Sequence, residues 1–209
     1  MEITELLEKI LGISDPQLIS QIADISELKK YSKKQILVQE GQSLPHLQFL
    51  VSGILRGFFL DIHGRDITDC FGYQPGTVAM SAFALDAPSP ITIETLSETV
   101  TLAIPMASIT KMLQKDVRLV HVYTPLLLEG LKTHWEIKSV LHKQTAGERY
   151  RWFLKAYPGL IDQVTNRYIA SFLGMSPVTL SRLRSAGQIR RTSHIQNKKH
   201  REISGKIDL

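Results

Sequence analysis

The chain has 209 residues, enough for one large or two small domains, and 43% of them are hydrophobic, the proportion of a globular protein. Its net charge of +5 is unevenly placed: from residue 144 onward 12 Lys+Arg stand against 4 Asp+Glu, whereas residues 1–143 carry 13 against 16. A single cysteine, Cys70, excludes an intrachain disulfide and a Cys-only metal cluster, and the absence of a long apolar run predicts a soluble, cytoplasmic chain with no membrane segment.

Residues 3–30 read as short amphipathic helices, ITELLEKILG and then PQLISQIADIS, with Asp15 before Pro16 as a helix start. From Lys34 the texture changes to short apolar runs separated by turn residues. Gly41, Gly53, Gly64 and Gly76 close successive runs 11 or 12 residues apart, which predicts stacked strands in a sandwich or barrel. Asp61 to Arg65, DIHGR, is a hairpin turn between two of them. Cys70, in DITDCFGY, is expected to be a buried structural thiol. His46 and His63 stand alone, without a second ligand at metal-binding spacing, and no nucleophile–base pair or phosphate loop is present. The chain is therefore not expected to be an enzyme.

After Pro105, MASITKMLQKD and then VRLVHVYTPLLLEGLKTHWEIKSVLHK predict helix for some 35 residues, kinked or restarted at Pro125. Val120, Leu127, Leu131 and Leu141 share one heptad register, with Trp135 beside it. Such a stripe suits a seam with a second copy of the chain. Thr124, His134 and Lys138 interrupt it, so an intrachain packing face is the rival reading.

Thr145 to Glu148, TAGE, is a capping box that opens a new domain. The helix ERYRWFLKAY follows, ending at Pro158-Gly159. NRYIASFLGMSPVTLSRLRS, residues 166–185, then has the parts of a DNA-reading helix-turn-helix. Ala170 permits close helix approach, Gly174 supplies a left-handed turn, and Ile169, Leu173, Leu180 and Leu183 are apolar locks. Ser176 and Pro177 start the second helix. Its outer face would carry Pro177, Val178, Ser181, Arg182 and Ser185, with Thr179 in the same set. Arg182 is the best base reader, because a guanidinium can donate twice to guanine. Arg167 and Arg184 are expected to hold phosphates. Beyond Gly187 the chain is polar and basic, either a short β-wing or a segment without fixed structure.

This order of parts resembles the cyclic-AMP receptor protein and fumarate-nitrate regulator (Crp/Fnr) superfamily, most specifically in ILVQEG, LQFLVSGILRGFF, TAGERYRWFLKAYPGL and IASFLGMSPVTLSRLR. The resemblance implies an α+β chain in three parts. Residues 1–107 would form a sensory double-stranded β-helix, or jelly roll, of the cyclic-nucleotide-binding type. Residues 108–144 would be a central dimerisation helix and hinge, and 145–209 a winged-helix-like DNA-binding domain. It further implies a homodimer on an inverted-repeat operator in double-stranded DNA, with RNA polymerase as a further partner of such regulators. Ser181 and Arg182 match a serine and arginine that the family uses for base contact, whereas Val178 stands where a glutamate is frequent, so the preferred sequence should differ.

The family's cyclic-nucleotide binders place an arginine on the cyclic phosphate, but GTVAMSAFALDAPSPITIETL contains no arginine or lysine, and Ser89-Pro90 stand about where that group belongs. Cyclic AMP is therefore not expected as the signal. No cofactor or metal is identified from the sequence; any small-molecule effector would lie around Met80, Ser81, Ala82, Ser89, Pro90 and Ile91.

Overall fold

The structure, a computed structural model, describes residues 2–79 and 87–186. The chain divides into two compact units, Met1–Lys138 and Ser139–Leu209. The division falls inside the longest helix.

In the first unit two amphipathic helices, α1 (Ile3–Leu11) and α2 (Pro16–Ala23), bury Leu6, Leu7, Leu18, Ile19 and Ile22. The Asp15 carboxylate accepts from the N–H groups of Gln17 and Leu18 at 3.0 and 3.2 Å, and Pro16 occupies the first turn, as its missing N–H allows. Helix does not extend to residue 30. Glu27–Tyr31 is instead strand β1, bonded only to one neighbour and largely solvated, so its charged alternation gave no apolar run to read.

Seven further strands follow: β2 (Ile36–Val38), β3 (His46–Ser52), β4 (Leu55–Leu60), β5 (Asp66–Gly72), β6 (Val78–Ala79), β7 (Thr92–Thr95) and β8 (Thr99–Pro105). They form two antiparallel sheets, ordered β1-β8-β3-β6 and β2-β7-β4-β5. Successive strands pass from one sheet to the other except at the β4–β5 hairpin, which is the jelly-roll path. Leu47, Phe49, Leu55, Ile93, Leu102 and Ile104 join α1 and α2 in one apolar core. The hairpin turn lies at Asp61–Arg65, as its sequence predicts. Asp61 accepts from the His63 and Arg65 N–H groups, both at 2.9 Å, and pairs with the Arg65 guanidinium at 2.7 Å.

The β3–β4 turn depends on Gly53, whose φ of +104° is poorly accessible to other residues. A Cβ there would lie 2.4 Å from Thr99 Oγ1 and 2.6 Å from the Glu98 carbonyl oxygen. Gly53→Ala is therefore expected to cost about 2–3 kcal/mol, read as a lower urea midpoint with an unchanged slope.

Helix α3 (Met106–Lys115) ends at Asp116, which is extended at φ −129° and caps the next helix by accepting from the Arg118 N–H at 2.9 Å. Helix α4 (Val117–Lys143) therefore runs 27 residues rather than some 35. It continues through Pro125, and no separate segment restarts there. Arg118 ties Asp116 at 2.7 Å to Asp15 at 2.5 Å.

The second unit opens with the expected capping box. Glu148 accepts from the Thr145 N–H at 2.8 Å while Thr145 Oγ1 accepts from the Glu148 N–H at 3.4 Å. The Thr145 hydroxyl, donating to the Glu148 carboxylate at 2.7 Å, and the Thr145 N–H beside it hold that carboxyl below its usual range. Helix α5 (Ala146–Ala156) is followed by a 3-10 turn (Leu160–Asp162), α6 (Asn166–Phe172) and α7, helical over 177–186. Phe153, Tyr157 and Phe172 make an aromatic core, with ring centroids 5.1–5.9 Å apart.

Candidate nucleic-acid interface

The α6–α7 pair is built from the residues its sequence offers for the purpose. Ala170 is fully buried where the helices approach, and Ile169, Leu173 and Leu180 are fully buried beside it. Gly174 turns the chain at φ +60°, a value that α6 needs in order to stop without a Cβ clash. Ser176 Oγ accepts from the Thr179 N–H at 3.1 Å, the N-cap that starts α7, and also lies 2.9 Å from Thr179 Oγ1.

Anchoring Leu180 inward fixes what faces out. Pro177, Val178, Ser181, Arg182 and Ser185 are all exposed, Val178 at 61%. Arg182 has no hydrogen-bond or ion-pair partner among the described residues, so its guanidinium is available. Thr179 and Leu183 are half-buried. Arg167 projects from α6 on the exposed side.

Arg184 is placed differently from the phosphate clamp that its sequence position suggests. Its guanidinium donates to the Ile161 carbonyl oxygen at 3.1 Å and to Asn166 Oδ1 at 2.8 Å, and pairs with Asp162 at 3.3 Å. It is half-buried and ties α7 to α6 and the 3-10 turn. The apolar stripe of the reader was easily seen in sequence. Arg184, two residues from Arg182 in the same basic run, was not separable from it without the acidic partner 22 residues away.

Of the residues proposed for an effector pocket, Met80, Ser81 and Ala82 lie outside the described residues, as does the basic segment from Gly187 onward. Ser89 is buried and consumed locally: its backbone bonds Gly41 at 2.7 Å and Gln42 at 2.8 Å, and its hydroxyl donates to the Ile91 carbonyl. Pro90 is exposed. Ile91 is half-buried and packs over Gly57, where a Cβ would meet Ile91 Cδ1 at 2.7 Å and Cys70 Sγ at 2.6 Å. Cys70 is half-buried rather than fully buried, and desolvation of its thiol pushes that group up to about 12.

The roll also contains a buried arginine that sequence reading passed over. Arg56, in mid-β4, is 1% exposed. It donates to Thr68 Oγ1 at 2.8 Å and Glu94 Oε1 at 2.7 Å, and pairs with Asp66 at 3.3 Å. Both carboxylates belong to neighbouring strands, so this cation is committed to the sheet.

Along α4 the exposed apolar residues are Val117, Val120, Leu128, Leu131 and Trp135, 39–66% accessible. At 3.6 residues per turn they fall within an arc of about 80°. Lys138 Nζ sits 4.9 Å from the Trp135 ring. Leu127, proposed for the seam, is half-buried at the edge of the stripe. Leu141 belongs to the second unit and lies beside Gly174, its Cδ2 3.8 Å from where a glycine Cβ would stand. Leu128 escaped a strict seven-residue register; alternating steps of three and four from Val117 reach it.

Among the described residues no cluster of three or more His, Cys, Asp or Glu could hold a metal ion, and no helix is long and apolar enough to cross a membrane.

Residues 28–116 match the cyclic nucleotide-binding domain family. No curated protein matches by sequence. Among solved structures the chain is similar to FixK2 from Bradyrhizobium japonicum, with 20% identity and a TM-score of 0.72 over 79% of this chain and 86% of that one. It is similar to the c-di-GMP responsive global regulator CLP of Xanthomonas campestris, at 14% identity and a TM-score of 0.67 over 84% and 93%. A crp/fnr-family transcriptional regulator from Eubacterium rectale matches at 19% identity and a TM-score of 0.61, over 84% of each chain. At these identities the likeness is one of fold. Residues 28–116 thus match the cyclic nucleotide-binding domain family, and the chain is similar in fold to the Crp/Fnr regulators.

Proposed function

We propose that this protein is a homodimeric, sequence-specific DNA-binding transcription regulator whose β-roll responds to a signal other than cyclic AMP. The observation that carries this reading is the outer face of α7. Leu180 is fully buried while Val178, Ser181, Arg182 and Ser185 are exposed on a helix that a capped, glycine-turned partner holds in place. A helix presenting small polar residues and one free guanidinium suits a major groove, where Arg182 would read guanine, Ser181 a base edge or phosphate, and Val178 a thymine methyl. The surplus of basic residues from residue 144 onward supplies attraction to phosphates, with Arg167 among the candidates. Arg184 serves this face by fixing α7 rather than by touching DNA.

A cyclic phosphate needs a cation in the roll, and Arg56 is already bonded to Glu94 and Asp66. Since the neighbours of this fold include a regulator described as c-di-GMP responsive, the roll's ligand is a matter for screening and not for analogy.

Selection of the full-length protein against random duplex DNA tests the reading. The expected product is an inverted repeat with half-sites about one helical turn apart. On that duplex Arg182→Ala should lose about 1–3 kcal/mol, with relaxed preference at one base position and an unchanged melting temperature. Equal affinity of parent and variant would remove Arg182 from the reader. Retention without sequence enrichment would remove specificity altogether.

A further inference from the structure

We infer that Arg149 is a positioning residue that locks the last turn of α4 to the reader, so that the two move as one body. The inference rests on the DNA-reading function proposed above. Arg149 lies in the first turns of α5, one residue after the capping-box glutamate, and its guanidinium reaches two other elements of the same unit. Nη1 donates to the carbonyl oxygens of Leu141 at 3.3 Å and Gln144 at 3.0 Å, and Nη2 donates to that of Gly174 at 3.2 Å. These acceptors share one property. Leu141 and Gln144 stand at the C-terminal end of α4, and Gly174 stands just past the end of α6, so all three are carbonyls for which a helix end provides no intrahelical donor.

Two helix C-termini carry partial negative charge and repel when they converge. A guanidinium between them removes that repulsion and satisfies three acceptors with one planar group, which an ammonium cannot reproduce in the same geometry. Apolar contact reinforces the junction. Leu141 packs on Gly174, the residue that turns the chain into α7. The path from the end of α4 to the start of the recognition helix is therefore Leu141 and Gln144, Arg149, Gly174, Ser176. Arg149 is half-buried and its guanidinium is taken up by these carbonyl oxygens, whereas Arg182 is exposed.

The test uses the full-length protein with two variants, Arg149→Gln and Arg149→Lys. The probes are the duplex selected by the parent and a scrambled duplex of equal length. Expected is a loss of tenfold or more on the selected duplex for Arg149→Gln, partly restored in Arg149→Lys. Binding to the scrambled duplex should stay unchanged, as should the slope of affinity against salt. Amide exchange should accelerate locally at 141–144 and 173–176 in Arg149→Gln, with helix content retained. Parent-like affinity with parent-like exchange overturns the inference. A uniform loss on both duplexes with a salt slope reduced by about one marks a phosphate contact and also overturns it. Should Arg149→Gln fail to fold, Arg149→Lys decides by the same readouts. If the parent itself selects no duplex, the DNA reading has failed and not the clamp, which the exchange measurement then confirms or overturns alone.

Discussion

Replacing Arg56 with methionine is expected to cost the fold about 3–5 kcal/mol, enough to leave the β-roll unfolded or marginal at ambient temperature. The reason is not that a buried ion pair is intrinsically strong. Alternation along β4 puts Arg56 on the face opposite Leu55, which pairs with Thr95 and joins the apolar core with Ile93. There it is sealed at 1% exposure, with its Cζ 4.5 Å from the centre of the Phe58 ring. It holds Glu94 on β7 and Asp66 on β5, whose side chains are only 12% and 23% exposed. Methionine fills most of the volume but leaves two poorly solvated carboxylates, on the strands that flank β4, without their cation.

The double variant Arg56→Met/Glu94→Gln removes the more buried of those charges and should recover a substantial part of the loss. Urea denaturation of parent, single and double variants checks both statements. A single variant within about 1 kcal/mol of the parent would mean that solvent reaches the cluster. A double variant no better than the single would place the cost in packing instead.

The same cluster shows what sequence could and could not supply. Local signals read well because their partners are local. Asp15 caps α2, Asp61 closes its own hairpin, Thr145 and Glu148 cap each other, and Ser176 starts α7, all within four residues of what they bond. Apolar spacing likewise placed Ala170, Leu173 and Leu180. Arg56 could not be read that way, since its partners stand 10, 12 and 38 residues on and meet only when the strands pair. The same distance hid the tie from Arg184 to Asp162 and the bond from Arg149 to Gly174. Strand β1 was missed for a different reason: an edge strand with solvated charges has no core face to announce it. The break at Asp116 was missed because an aspartate reads equally as a helix residue and as a cap, and φ at that residue decides.

Changing Leu131 to aspartate is expected to convert the protein to a monomer and to lower operator affinity more than 100-fold, about 3 kcal/mol or more. In the chain taken singly Leu131 is 43% exposed and sits between Leu128 at 59% and Trp135 at 61% on one face of α4. With so little of it packed, the substitution should change the stability of the isolated chain by no more than about 0.5 kcal/mol. A large effect therefore has to come from a surface that only a second molecule covers. A two-fold seam along this stripe sets Leu131 near its own symmetry mate, so the variant would place two like charges together in a desolvated centre, where aromatic and leucine anchors carry most of the energy. On the function proposed above, an inverted-repeat operator is read by two α7 helices at once, so loss of the seam is expected to remove half of the contacts and to weaken binding without any change to the reader itself. Sedimentation equilibrium and operator titration on the same preparation check the two consequences. Glu129→Gln, off the stripe and exposed, is the matched control and should leave both unchanged. If Leu131→Asp stays dimeric, the seam lies elsewhere; if it is monomeric yet binds its operator as before, the reader works singly and the two-fold site falls with the seam.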